Sequence, residues 1–327
     1  MKKILLDYIS PVGHISLINF YLKNIGKDFD CIFLNKKIKD NIVKSKNLKF
    51  LEISNLSILK IINLYILFSK FKKNKISKII MLSYEPKILF FLSFFLDLGS
   101  FKIYLVEHDN LNEKKLLNIF FIRCLSKNFK HLTYSLPAKK FLKKDLNKKV
   151  ILINHPIIKK DESSKLSVLK NKCVNKMILI PTRHDFNENS IKDILKRYKD
   201  INFIILLKKS NLLKKKFFEF KNAFIFEKIF EKDIEKISAI YLPIKESYYK
   251  YRVSAWLYRG IAFKKKIILD NNELYKFEKK RFPNYVQNKR KNFHKILNIK
   301  IDSRNNKSLT QNYNFKLIRE FKNILFE

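Results

Sequence analysis

The feature that most constrains this chain is an alternation of strand-like and helix-like segments that runs, stops and starts again. Short, near-continuous apolar runs recur at "KKILLDYI" (2–9), "FDCIFLN" (29–35), "LKFLEIS" (48–54), "KIIMLSY" (78–84), "FKIYLVEHD" (101–109), "HLTYS" (131–135) and "KKVILINHP" (148–156). Most are separated by helical patterns, such as 56–73 with Leu56, Leu59, Ile62 and Ile66 along one side. Strands apolar on both faces belong in a parallel sheet covered on both sides. Residues 157–175 lose the rhythm to charge and serine, and it restarts at 177–185, 201–209, 223–228, 239–245 and 265–270. The pattern predicts an α/β protein with two doubly wound, Rossmann-like domains facing a cleft. The expected division is 1–156, a linker at 157–175, a second domain at 176–308 and a closing amphipathic helix at 309–327.

Charge narrows the partners. The 70 Lys and Arg against 29 Asp and Glu give a net charge of +41, which suits phosphate-bearing ligands, anionic lipid or nucleic acid. Lysine is spread along the whole chain, so coding bias explains the excess equally well. No helix-turn-helix, RNP or KH pattern accompanies the charge, and no nucleic-acid partner is expected. Basic amphipathic stretches at 113–130 and 210–221 suit either an anionic membrane surface or ordinary core packing. The most apolar run, 88–96, is half the length of a bilayer span and ends at Asp97. Cys31, Cys124 and Cys173 show no metal-ligand spacing, and Cys31 and Cys124 are expected to pack as small hydrophobes in a reducing cytoplasm.

In doubly wound sheets the chemistry lies just beyond the strand ends. After the strand at 101–109 stands Glu107-His108-Asp109, where a carboxylate or imidazole suits a general base; His14 is the rival. His131 and His294 have no constellation around them in the sequence. In the second block "PTRHD" offers Arg183, and Lys208 follows the next strand; two cations meeting a diphosphate can take the place of a metal. At "YRVSAWLYRG", Tyr251, Arg252 and Ser254 crowd a helix start, whose free N–H groups suit a diphosphate, and Gly260 is expected to end that helix in a left-handed turn. "DFD" at Asp28–Asp30 opens a strand and reads as a solvated turn.

Taken in order, "SPVGHISLINF", "YLVEHDN", "HLTYSLPAKKFL" with "VILINHPI", and "LPIKESYYKYRVSAWLYRGIAFKKKII" resemble the passages of GT-B glycosyltransferases, over nearly the whole chain. The resemblance implies a metal-independent enzyme that moves a sugar from a nucleotide-sugar co-substrate, with no other cofactor. The acceptor would be a glycan or lipid-linked glycan of capsule or lipooligosaccharide type. The protein would be cytoplasmic, or peripheral on the inner face of the cytoplasmic membrane. Asp109, His108 and His14 would serve catalysis, while Arg183, Lys208, Glu246, Tyr251, Arg252 and Ser254 would bind the donor. Glu246 matches the first of two glutamates spaced in the best-known donor signature, and Ser254 replaces the second, so the pair does not assign retention or inversion. That departure leaves a non-catalytic GT-B-like binding subunit as the alternative, with a nucleic-acid-binding protein behind it.

Overall fold

The computed structural model describes residues 2–9, 14–108, 110–111, 116–158, 167–169, 176–182, 186–207, 216–244, 254–301 and 304–327, with the backbone alone at 304–308. The chain divides into two units, Met1–Pro156 with Tyr313–Glu327, and Ile157–Asn312. Each is built on one parallel sheet.

In the first unit the strands are β1 (Lys2–Asp7), β2 (Cys31–Asn35), β3 (Leu48–Leu51), β4 (Ile76–Ser83), β5 (Lys102–Glu107), β6 (Lys130–Thr133) and β7 (Lys149–Leu152), in the order β3-β2-β1-β4-β5-β6-β7. The crossovers carry α1 (Ile15–Ile25), α2 (Ser57–Lys73), α3 (Pro86–Phe95), α4 (Leu116–Cys124) and α5 (Leu136–Lys144). Ile4, Leu5 and Leu6 are all buried, as is every residue of Ile79–Leu82, because helices cover the central strands on both faces. Local signals set the helix starts. Pro86 opens α3 with a preset φ, and the Ser135 hydroxyl accepts the Ala138 N–H at 3.2 Å to cap α5.

The second unit has β8 (Met177–Pro181), β9 (Asn202–Leu206), β10 (Ala223–Phe226), β11 (Ala239–Leu242), β12 (Lys266–Leu269) and β13 (Val286–Asn288), ordered β10-β9-β8-β11-β12-β13. Its described helices are α6 (Glu188–Arg197), α7 (Glu231–Lys236), α8 (Ala255–Ala262), α9 (Glu273–Arg281) and α10 (Phe293–Asn298). The buried Asp233 carboxylate accepts from Ser167 Oγ at 2.6 Å and from the N–H groups of Val168, Leu169 and Phe230. Burial pulls its pKa upward, but these donors outweigh burial and hold it below the ordinary carboxylate value. Residues 167–169 are thereby tied to α7.

The last helix, α11 (Arg304–Phe326), explains part of the lysine excess. Lys3, Lys78 and Lys102 stand in register across β1, β4 and β5. Lys78 Nζ donates to the carbonyls of Ile324 and Leu325 at 2.8 and 2.9 Å, Lys102 reaches the Glu327 carbonyl at 3.4 Å, and Lys3 lies over the Phe326 ring. Cations at a helix C-terminus satisfy its orphan carbonyls and oppose its dipole. Burial and the neighbouring lysines lower the Lys78 pKa.

Several sequence expectations are corrected. Gly260 does not end α8: it lies inside the helix, and Lys264, at φ 57°, takes the left-handed position. A Cβ at residue 260 would collide with Ile267 Cδ1 and stand 3.0 Å from Ile240 Cδ1, so any side chain there forces the ends of these isoleucines to shift. Gly260→Val should therefore destabilise the second unit by about 1–3 kcal/mol through overpacking, with Gly260→Ala milder. Melting curves check this; an unchanged midpoint for the valine variant would contradict it. On α2 the side bearing Leu59, Ile62 and Ile66 is the exposed one, and Leu64, Leu67, Phe68 and Phe71 form the core side. Cys124 is exposed, on the outward side of α4. The Asp28–Asp30 turn is anchored: Phe29 is buried, Asp28 pairs with Lys322 at 3.4 Å and Asp30 accepts the Lys3 N–H.

Candidate functional site

A doubly wound sheet opens at its carboxyl edge where the strand order reverses. In the first unit that point lies between β1 and β4. A register shift after Leu6 sets Asp7 opposite Ser83, and the Ser83 hydroxyl donates to the buried Asp7 carboxylate. One residue further, Tyr8 Oη accepts the Glu85 N–H at 2.8 Å, while Lys60 Nζ bonds the Glu85 carboxylate at 2.7 Å. Burial pushes the Tyr8 and Tyr84 phenols well above their ordinary pKa, so both stay protonated as hydrogen-bonding groups.

The next strand ends extend this floor. Glu107, the last residue of β5, accepts from the Tyr84 hydroxyl and lies 2.6 Å from His131 Nδ1 on β6. The sequence gives His131 no constellation because its partner arrives from the neighbouring strand, through the pairing of Leu105 with His131.

His108 follows Glu107 directly. Its ring centroid lies 4.7 Å from that of His14, which stands at the N-cap of α1 without capping it through its side chain. His108 also meets Tyr134 at 5.3 Å, and Tyr134 meets His155 at 5.0 Å. The Tyr134 hydroxyl lies 3.0 Å from the Tyr21 hydroxyl, and burial raises the pKa of both phenols. His14, the expected rival of the Glu107-His108-Asp109 triplet as base, thus stands beside His108 at the carboxyl edge. Asn110 Nδ2 donates to the Tyr84 carbonyl at 3.2 Å, which fixes the chain just beyond residue 109. An imidazole pair beside ordered tyrosines can orient a hydroxyl group and accept its proton. His155 belongs to the same ring cluster.

In the second unit the order reverses between β8 and β11. Thr182, next after β8, is buried and its hydroxyl donates to the Leu206 carbonyl. Ile244, beyond β11, forms an antiparallel bridge with Phe186. Ser254 is the N-cap of α8, with extended φ and ψ of −85° and 122°, and its side chain makes no bond to the helix N–H groups. A polar cluster that sequence reasoning missed lies along the same edge. The Tyr241 hydroxyl is 2.7 Å from Ser190 Oγ and 3.4 Å from Asp270 Oδ1, and Lys289 stands 3.8 Å from Asp270 and donates to Ser190. Burial raises the Asp270 pKa against the opposing pull of Lys289 and Tyr241. Four separate elements supply these residues, so no local motif marks them.

Of the residues expected to act, His14, His108 and Ser254 are described; Asp109, Arg183, Lys208, Glu246, Tyr251 and Arg252 lie outside the described residues. Among the described residues no group of three or more His, Cys, Asp or Glu is arranged to hold a metal ion, and no helix is long and apolar enough to cross a membrane.

No protein-family model and no curated protein matches the sequence. Solved structures do match the fold. A glycosyltransferase from Rickettsia africae is similar at a TM-score of 0.62 and 14% identity, over 99% of this chain and 97% of that one. Anabaena HepE, solved in complex with UDP and glucose, is similar at 0.63 and 10% identity, over 100% of both chains. A UDP-N-acetylglucosamine 2-epimerase is similar at 0.58 and 13% identity, over 98% of this chain and 96% of that one. Likeness at such identities concerns architecture, and chemistry has to be argued from the site. With two parallel, doubly wound sheets matched end to end by these structures, the chain has the GT-B fold.

Proposed function

We propose that the protein is a metal-independent glycosyltransferase that moves a sugar from a nucleotide diphosphate-sugar to a growing surface glycan of capsule or lipooligosaccharide type. The acceptor is free or lipid-linked, and the work is done in the cytoplasm or on the inner face of the cytoplasmic membrane. The observation that carries this reading is the His14–His108 pair at the carboxyl edge of the first sheet, on a fold matched over its whole length by a glycosyltransferase. HepE, with UDP and glucose bound, supports a nucleotide-sugar as donor.

The first unit takes the acceptor. Asp109 or His108, with His14 beside it, removes the proton from the acceptor hydroxyl as its oxygen bonds to the anomeric carbon. The bond from that carbon to the diphosphate oxygen breaks, and the nucleoside diphosphate leaves with the electron pair. In the second unit Arg183, Lys208 and Arg252, with the free N–H groups at the start of α8, meet the negative charge that develops on the leaving group. Glu246, Tyr251 and Ser254 hold the rest of the donor.

Thermal stabilisation by a panel of nucleoside diphosphates tests the reading first: one of them should raise the melting temperature, and a chelator should leave that shift and the turnover unchanged. No stabilisation by any nucleoside diphosphate would overturn it. A strict magnesium or manganese requirement would overturn its metal-independent part and return attention to Asp28 and Asp30.

A further inference from the structure

We infer that the outer face of α2, α3 and α4 is a docking surface for an anionic lipid bilayer. The inference extends the proposed function by locating the membrane contact, and it rests on that reading only for the source of the acceptor.

The three helices lie side by side on the first sheet, with Phe90 of α3 and Phe121 of α4 in ring contact at 5.3 Å. Each leaves an apolar stripe outward. On α2, Ile58, Leu59, Ile62, Tyr65 and Ile66 recur at helical spacing, with Ile58 75% exposed. On α3, Phe94 and Phe95 face out, Phe94 at 67%. On α4 the stripe is Leu116, Leu117 and Phe120, with Leu116 at 73%. A helix apolar on both sides needs a second cover, and contiguous exposed apolar surface of this kind marks a binding face.

Charge selects the occupant. Every stripe carries a cation in register: Lys70 and Lys73 continue the Ile62–Ile66 row, Lys87 precedes Phe94 by two turns, and Arg123 follows Leu116 by two turns; all four are exposed. The sequences of α2, α3 and α4 contain no Asp or Glu. Among the described residues the flanking acids are Glu85, paired with Lys60, and Asp97, which accepts the Gly99 N–H. An apolar face that carries these four exposed cations is complementary to anionic headgroups over an acyl interior. A second copy fits poorly, since a two-fold interface sets these cations against one another. The stripes on α2 and α4 begin at the helix N-termini, which follow the carboxyl ends of β3 and β5. A lipid-linked acceptor would therefore arrive beside His108.

The test is flotation of the full-length protein with phosphatidylcholine vesicles, with and without a third of phosphatidylglycerol, at low and high salt. Binding is expected only with phosphatidylglycerol, weakening as salt screens the charges. Replacing Lys70, Lys73, Lys87 and Arg123 with glutamine should weaken it about fivefold per cation. Ile62→Asp, Phe94→Asp and Leu117→Asp combined should abolish it, with an unchanged melting curve because all three side chains lie outside the core. Should that variant not fold, Phe120→Trp, read against the native Trp256, should gain blue-shifted emission on anionic vesicles. Failure of the wild type to float, retained binding in the combined variant, no emission change at residue 120, or a solution dimer dispersed by the aspartates would each overturn the inference. Stabilisation by nucleoside diphosphate is read separately, so failure here is distinguishable from failure of the proposed reaction.

Discussion

Replacing Arg252 with alanine should weaken nucleoside diphosphate binding roughly ten- to a hundredfold, the loss of a charge-assisted contact of about 1.5–3 kcal/mol. Two features of α8 motivate the expectation. Ser254 occupies the N-cap but does not spend its side chain on the helix N–H groups, and the capping position is buried in the second unit. Arginine, the residue two positions earlier at 252, has a planar fork able to donate two parallel hydrogen bonds to a phosphate. Arg252→Lys should recover only part of the affinity, because a point charge cannot reproduce that fork. Ser254→Ala should cost less, about 0.5–1.5 kcal/mol, as the loss of a neutral hydrogen bond. Titration with a nucleoside diphosphate, beside melting curves for each variant, measures all three. Unchanged affinity in a well-folded Arg252→Ala protein would remove the donor assignment from this helix.

The second large effect belongs to the first unit. His108→Ala and Asp109→Ala should each lower turnover by about 10²–10⁴, the usual worth of a positioned general base, while nucleotide affinity changes little. The larger loss identifies the base. His14→Ala should fall below both if His14 only orients the His108 ring across their 4.7 Å contact. If His108→Ala or Asp109→Ala instead abolishes nucleotide binding and spares turnover at saturating donor, the assignment of the two units to donor and acceptor is reversed.

Both sheets were legible in the sequence because their central strands are buried on two faces and read as unbroken apolar runs; Ile79–Leu82 and Ile178–Ile180 are instances. β13 was not, since Val286, Gln287 and Asn288 form a short edge strand whose pairing with β12 is not written in local propensity. The orientation of α2 was also hidden. Apolar residues surround that helix, so periodicity alone could not tell the core side, Leu64 and Phe68, from the outward side, Ile62 and Ile66. For Gly260 the sequence suggests a helix end, because the close approach of Ile267 is a long-range fact. At the candidate site, residues adjacent in sequence such as Glu107 and His108 were visible. Contacts assembled across strands, Asp7 with Ser83 and Glu107 with His131, appear only once register is known.

The central claim is that a sugar leaves its nucleotide and reaches another molecule. Incubating the protein with a panel of nucleotide-sugars and candidate glycan acceptors, then following both free nucleoside diphosphate and labelled sugar, measures that directly. One donor should release nucleoside diphosphate in step with the appearance of label in the acceptor, and Asp109→Ala or His108→Ala should suppress both. Conversion of the donor into an isomeric nucleotide-sugar, with no label transferred, would contradict the account and indicate epimerase chemistry on the same fold. Tight nucleotide binding without any release would contradict it in favour of a non-catalytic binding subunit.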